Sequence, residues 1–228
     1  MDKNHPTSLG AVSKDRWSRA QRHEAGFWQQ PGIVSDQLNR TRSRYEDLIR
    51  RLGASASPNT RILEVGSGPT CATRVFPHGR RVFLDPLMRT YRPLIPDGVS
   101  GGFVCAIGEQ LPFADSQFDF TFSVNVLDHV IAPARFVAEL VRVTRPAGKI
   151  VIGVYTHPRI VATARIWIDR LLPFFGEAAH PYFFSRNSLV RLLESQSLLL
   201  DELIRVHAPS RRPQLHRQGW VAVASRPA

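Results

Sequence analysis

Arg61-Ile62-Leu63-Glu64-Val65-Gly66-Ser67-Gly68-Pro69-Thr70 begins with an apolar run that halts at a glycine. Ile62, Leu63 and Val65 therefore read as a buried strand delivering the chain into a loop. Gly66 and Gly68, with Ser67 between them, permit a tight turn and a close backbone approach to a ligand where a Cβ would collide. Glu64, near the strand's end, faces whatever the loop cradles. A ligand carrying both a cation and a ribose suits that combination. The dinucleotide fingerprint G-x-G-x-x-G is incomplete, because its third glycine position holds Cys71.

The chain has 228 residues, enough for one α/β domain with an appended segment and a full core. Its 43% hydrophobic content excludes a largely disordered polymer. No run of roughly 18 uncharged apolar residues occurs, so no spanning helix is predicted. The polar N-terminus has no signal-peptide apolar region, and Cys71 and Cys105 lack CxxC or Cys/His spacing. A reducing cytoplasm, with neither a disulfide framework nor a structural metal, is the expectation. The formal charge of +11 comes almost wholly from arginine, with lysine only at Lys3, Lys14 and Lys149. Such a balance suits nucleic acid, an anionic membrane surface or an acidic small molecule. The arginines are scattered, however, and pairs such as Arg50-Arg51, Arg80-Arg81 and Arg211-Arg212 never grow into a tract. A solvated, arginine-biased surface is the preferred reading.

Around the glycine loop, strand and helix patterns alternate. Strands are predicted at Arg61–Val65 and at residues 81–84, 102–107, 118–124 and 149–155. Short helices are expected over residues 70–75 and 88–94, and a longer one over 133–143 that ends in the turn Arg145-Pro146-Ala147-Gly148. Upstream, residues 1–15 have no apolar period and are expected to be mobile. Trp17, Arg19, Arg22, His23, Phe27 and Trp28 interleave aromatic and basic side chains in a short helix, which either covers a domain edge or closes over a site. Pro31-Gly32 breaks it, and a helix over 36–52 follows. Downstream, residues 158–184 form a connection rich in aromatics and arginine with a helix at 160–172. An amphipathic helix at 187–194 and strands at 198–206 and 219–225 complete the chain. This order implies a doubly wound, mostly parallel sheet.

The loop at Gly66 and Gly68 resembles motif I of the class I S-adenosylmethionine (SAM) methyltransferases, [DE]-x-G-x-G-x-G, with Thr70 departing from it. Three further stretches resemble that family in the same order. Asp85, followed by Pro86, ends the second strand nineteen positions beyond Gly66. Ala106-Ile107-Gly108-Glu109-Gln110-Leu111-Pro112-Phe113 is similar to G-D-A-E-x-L-P-F, with Ile107 where an acid is usual. The stretch from Phe118 to Val130 is similar to F-D-x-V-x-S-x-x-V-L-E-H-V, with Asp128 in place of Glu. Arg145-Pro146-Ala147-Gly148-Lys149 resembles the L-K-P-G-G turn before the fifth strand.

The resemblance runs from Arg61 to Tyr155 and implies a Rossmann-like, seven-stranded sheet whose last strand is antiparallel. An N-terminal helical segment at 1–55 precedes the methyltransferase domain at 56–228, which carries an insertion at 157–184. It also implies SAM as cofactor. Glu64 would help receive its amino group, Gly66, Ser67 and Gly68 would admit its approach, and Asp85 with Pro86 would bind ribose. Ile107, Gly108 and Glu109 would frame adenine, with Glu109 a candidate acceptor for the adenine amine. Asn125 and Val126 would border the methionine part. His129 has a pKa range suited to a general base on the acceptor, against the plainer role of packing the loop.

Missing motifs narrow the acceptor. The [DNS]-P-P-[YFW] tetrapeptide of amine-directed enzymes is replaced by Ser123-Val124-Asn125-Val126, and no cysteine follows a proline. Neither paired glutamates flanking a hairpin nor an Asp/Asp/Asn metal set is recognisable. A small-molecule acceptor is expected, bounded by Trp28, Arg159, Tyr182 and Phe183, with Arg159 offered to an anionic group and no metal involved. Alternatives are RNA, a lipid or quinone at a membrane surface reached by the helix at 160–172, and SAM binding without catalysis.

Overall fold

The computed structural model describes residues 10–158, 180–206 and 218–227. Helices α1 (Lys14–Trp28) and α2 (Ile33–Leu52) precede an alternating core: β1 (Arg61–Val65), β2 (Arg80–Leu84), α3 (Met88–Tyr91), β3 (Gly102–Val104), β4 (Phe118–Val124), α4 (Pro133–Val143) and β5 (Thr144–Thr156). After the insertion come α5 (Arg186–Ser195), β6 (Leu199–Val206) and β7 (Gln218–Ser225). The insertion helix at 160–172, Arg159 and the Pro- and Arg-rich loop before β7 lie outside the described residues.

Seven strands form one sheet in the order β3-β2-β1-β4-β5-β7-β6. β1 pairs in parallel with both β2 and β4, whereas β7 runs antiparallel to β5 and β6. This is the expected Rossmann-like sheet. The chain winds outward from β1 to β3 and then returns to place β4 on the other side of β1. The carboxyl ends of β1 and β4 therefore diverge into a crevice, where open α/β sheets place their ligands.

Both sheet faces are covered, which explains why the strands are apolar on both sides rather than alternating. On one face Leu63, Val65, Ile150 and Ile152 pack with Phe136 and Leu140 of α4 and Leu189 and Leu193 of α5. On the other, Ile62, Phe122, Val151 and Val221 pack with Tyr45, Leu48 and Ile49 of α2. Capping fits the boundaries. Ser13 accepts the Arg16 N–H at the start of α1, and Ser185 and Ser188 form a reciprocal capping box on α5.

Several expectations are corrected. β3 stops at Val104 instead of Ile107, because its partner β2 ends at Leu84 and the Asp85 N–H makes the last bond to the Val104 carbonyl. Arg145-Pro146-Ala147-Gly148 is not a turn ahead of the fifth strand but lies inside β5. Ala147 takes φ 56° there, and the register to β4 shifts between Phe118 and Phe120. The N-terminal stretch is docked from Gly10 onward: the Val12 N–H reaches the Ile131 carbonyl at 2.9 Å and Tyr182 Oη at 3.1 Å.

Many arginines are engaged in surface pairs, such as Arg51 with Glu202 and Arg145 with Asp119. Arg81 and Arg226 hold backbone carbonyls instead.

Candidate functional site

The crevice at the carboxyl ends of β1, β2 and β4 opens to solvent, and the space in and over it amounts to about 950 Å³. Its floor is the loop after β1. Gly66 has φ 73° and its N–H donates to the Leu84 carbonyl at 2.7 Å, tying the loop to β2. A Cβ on Gly66 would lie 2.3 Å from Val126 Cγ2, so this glycine admits a side chain from the β4 end as well as a left-handed turn. Gly68, at φ 50°, has Trp28 Cζ2 3.5 Å from where its Cβ would stand. Gly108 is required by packing, since a Cβ there would meet Phe136 Cε2 at 2.2 Å.

Three carboxylates border this floor, and each already holds backbone amides. Glu64 is buried; its Oε1 accepts from Ala72 N at 2.9 Å, and its Oε2 accepts from Thr73 N at 2.8 Å and Thr73 Oγ1 at 2.6 Å. Burial pushes its pKa up against those bonds. Asp85 Oδ2 accepts from Gly68 N at 3.0 Å and its Oδ1 from Leu87 N at 2.8 Å. Burial lifts the Asp85 carboxyl to about 6, with the two amides opposing. Glu109 Oε1 takes the Ile131 and Ala132 N–H groups, supplying the cap that Ala132 itself lacks at the start of α4. That engagement redirects Glu109 from the adenine amine toward holding the loop before α4.

Ser67, Pro86, Ile107, Asn125 and Val126 line the same crevice, as expected. Asn125 adopts φ 59°, a conformation its short polar side chain tolerates, and its N–H donates to the Gly153 carbonyl at 2.8 Å. The roof is α1, whose Trp17, Gln21, Glu24 and Trp28 line the crevice, joined by Gln37 and Thr41 of α2. Positions 17, 21, 24 and 28 fall on one helical face, a signal readable in the sequence that the aromatic-basic pattern obscured. Trp28 also meets Tyr91 edge to face at 6.1 Å.

His129 lines the crevice beneath α1. Its Nδ1 is 3.7 Å from Glu24 Oε1 and its Nε2 3.8 Å from Asp128 Oδ1. His180 brings Nδ1 to 3.1 Å from Asp128 Oδ2, and the two imidazole centroids are 4.5 Å apart. Burial of Asp128 would raise its pKa, but His129 and His180 outweigh it and hold the carboxyl low. Sequence reasoning found His129 and missed His180, which is distant in the chain and carries no motif of its own.

Two expected acceptor contacts are displaced. Tyr182 is buried with its hydroxyl 2.6 Å from the Ile131 carbonyl and 2.8 Å from that of Gly10, so it clamps the N-terminal segment. Phe183 is buried against His157. Neither lines the crevice.

Residues 63–152 match the methyltransferase domain family. That segment, the strand-and-helix core around the glycine loop, is similar to methyltransferase domains. An uncharacterised methyltransferase of Mycolicibacterium gilvum (strain PYR-GCK) is 36% identical over 112 residues, covering 47% of this chain and 44% of that relative. One from Mycobacterium avium (strain 104) is 35% identical over 118 residues, covering 50% and 46%. The chain thus spans about half the length of the curated relatives it matches.

Among solved structures, the chain is similar in fold to 1,6-didemethyltoxoflavin-N1-methyltransferase of Burkholderia thailandensis, solved with bound 1,6-didemethyltoxoflavin and S-adenosylhomocysteine. Identity there is 17%, the TM-score 0.64, and the coverage 100% of this chain and 94% of that one. Geranyl diphosphate C-methyltransferase of Streptomyces coelicolor, solved with Mg2+, geranyl diphosphate and S-adenosyl-L-homocysteine, gives 14% identity, a TM-score of 0.62, and coverage of 98% and 91%. At such identities the likeness is one of fold.

Proposed function

We propose that this chain transfers a methyl group from SAM to an oxygen, nitrogen or carbon nucleophile of a small molecule held beneath α1. The observation that carries this reading is the crevice itself. A glycine loop bonded to Asp85 forms its floor, and the face Trp17, Gln21, Glu24 and Trp28 forms its roof. A roof of that kind leaves room for a cofactor and a small acceptor and excludes an intact nucleic-acid duplex. Both solved neighbours named above hold S-adenosylhomocysteine, which supports SAM as the methyl source.

The sulfonium of SAM already activates its methyl, so the protein's work is alignment and exclusion of water. In this reading Asp85 accepts the ribose hydroxyls, Ile107 and Gly108 border adenine, and Val126 lies beside the methionine part. Glu64 acts through the loop it holds. Among the described residues both cysteines are free, Cys71 buried and Cys105 exposed, which suits a reducing cytoplasm. No helix among them is long and apolar enough to cross a membrane.

Calorimetry with SAM and S-adenosylhomocysteine tests the cofactor, and labelled-methyl transfer into separated small-molecule, RNA and liposome fractions tests the acceptor. Binding of SAM with label entering the small-molecule fraction is expected. A folded protein that binds neither nucleoside refutes the reading, and label found only in RNA or lipid refutes the acceptor class.

A further inference from the structure

We propose that Asp128, His129 and His180 form a binding site for a divalent transition-metal ion of the zinc class at the acceptor end of the crevice. The sequence gives no metal spacing, and the metal-free expectation rested on that. The fold supplies what the spacing lacks. Asp128 and His129 follow β4, while His180 arrives just before α5, its segment held where the Tyr182 N–H meets the Asp128 carbonyl at 3.4 Å. One candidate ligand atom from each of the three side chains lies within 4.8 Å of the others.

Two independent observations point into the space between them. Asp128 is only 7% exposed, yet its Oδ1 has no hydrogen-bond partner among the described residues. A buried carboxylate oxygen without a partner is disfavoured, and a cation satisfies it directly. Secondly, the separations suit shared coordination, although the shorter one is also of hydrogen-bond length. His129 Nε2 stands 3.8 Å from Asp128 Oδ1, beyond hydrogen-bond reach. His180 Nδ1 stands 3.1 Å from Asp128 Oδ2. Ligands about 2.0–2.2 Å from one tetrahedral ion are separated by about 3.3–3.6 Å, between those two values.

The donor set chooses the ion. Two imidazoles and one carboxylate suit zinc or a neighbouring first-row metal, not the all-oxygen shells of magnesium or calcium. Three protein ligands leave a coordination position open, and of the three residues His129 lines the crevice. Glu24 Oε1, 3.7 Å from the far nitrogen of His129, is placed to orient that ring once the ion draws it in. Because Glu24 belongs to α1, the ion would also tie the roof to the sheet.

The role of the ion rests on the proposed methyl transfer. An acceptor hydroxyl in the open position would lose its proton to water. The resulting metal-held oxyanion would attack the SAM methyl as the C–S bond breaks, leaving neutral S-adenosylhomocysteine. Acceptors with an ionisable hydroxyl are the class this site selects.

The test measures metal binding without SAM or acceptor, so it stands apart from the methyl-transfer reading. Chelator-dialysed full-length protein is titrated with Co2+, followed by its visible absorption, and with Zn2+ by calorimetry. One equivalent is expected, with absorption of a tetrahedral, nitrogen-ligated ion. H129Q and H180Q should each weaken binding by at least about tenfold, while His23→Gln and His78→Gln, away from the cluster, should not. SAM affinity and melting temperature, measured in parallel, establish that each variant is folded. Absence of a stoichiometric site in folded wild type overturns the proposal. Undiminished binding in folded H129Q and H180Q overturns it equally, and leaves Asp128 as a counter-ion between two histidines.

Discussion

Replacing Asp85 with asparagine separates two effects that the wild-type carboxylate combines. Burial lifts its pKa from 3.8 to about 6, while the Leu87 and Gly68 amides pull the other way. A shift of that size means that ionising Asp85 inside the fold is unfavourable by about 3 kcal/mol relative to the unfolded chain at neutral pH. The folded carboxyl holds its proton more tightly than the unfolded one. Its contribution to stability is therefore complete below the unfolded pKa and disappears as pH rises through about 6.

Asparagine has no such titration. It keeps one acceptor oxygen, but its amino group must face either the Gly68 or the Leu87 N–H. At pH 4.5 that mismatch should make the variant less stable by about 1–3 kcal/mol. Between pH 4.5 and 7.5 the wild type's advantage should shrink by about 2 kcal/mol, so the two proteins approach each other near neutrality. Urea denaturation of both chains at the two pH values measures this directly. Parallel pH profiles would refute the assignment of a raised pKa to Asp85. The ligand arm moves independently: loss of charged hydrogen bonds to ribose should weaken SAM by about 1.5–3 kcal/mol at pH 7.5. Unchanged calorimetric affinity in a folded variant takes Asp85 out of the site.

Gly66→Ala should destabilise the apo protein by about 2–4 kcal/mol, combining left-handed strain with a Cβ driven into Val126. Adding Val126→Ala should recover part of that loss in urea melts; strict additivity of the pair would remove Val126 as the clashing partner. Trp28→Ala should lower SAM affinity as well as turnover, because the ring lies over Gly68 and against Tyr91. A half-exposed tryptophan should lower stability by less than the ~3–5 kcal/mol of a buried one, so a larger loss in melting experiments would mark it as core. Glu109→Gln should weaken the start of α4 by about 1 kcal/mol, read as faster amide exchange at Ile131 and Ala132; unaltered exchange would deny Glu109 the capping role.

Elements whose signals are local were legible. β4 at Phe118–Val124 and α4 at Pro133–Val143 have the boundaries their patterns predict, since an apolar run and a proline at the first helical turn carry the information themselves. β3 was read too long because Cys105-Ala106-Ile107 stays apolar after its pairing partner has ended. The bulged entry to β5 was read as a turn because Pro146-Ala147-Gly148 has turn chemistry, although the strand beside it keeps the backbone in the sheet. His180 became part of the site only through contacts spanning many tens of residues.

The same distinction bears on which carboxylate the proposed cofactor would meet. The sequence resemblance gives Glu64, Asp85 and Glu109 different parts of the cofactor, yet each is simply an acid beside a glycine-containing loop or a strand end. The fold separates them by what each oxygen already accepts. A carboxylate oxygen offers about two lone-pair directions. Glu64 Oε2 has filled both with Thr73, and Glu109 Oε1 has filled both with Ile131 and Ala132. Asp85 alone holds one protein donor on each oxygen, from Leu87 and from Gly68, leaving one direction open on each. Paired ribose hydroxyls need two adjacent acceptors, which among these three residues Asp85 presents as one open direction on each oxygen. If Asp85 binds in that way, Asp85→Glu should fail where the charge alone would succeed, because its longer side chain cannot hold both loop amides and keep the two open directions side by side. An Asp85→Glu variant with wild-type SAM affinity would show that charge, not the geometry of two half-filled oxygens, selects the cofactor.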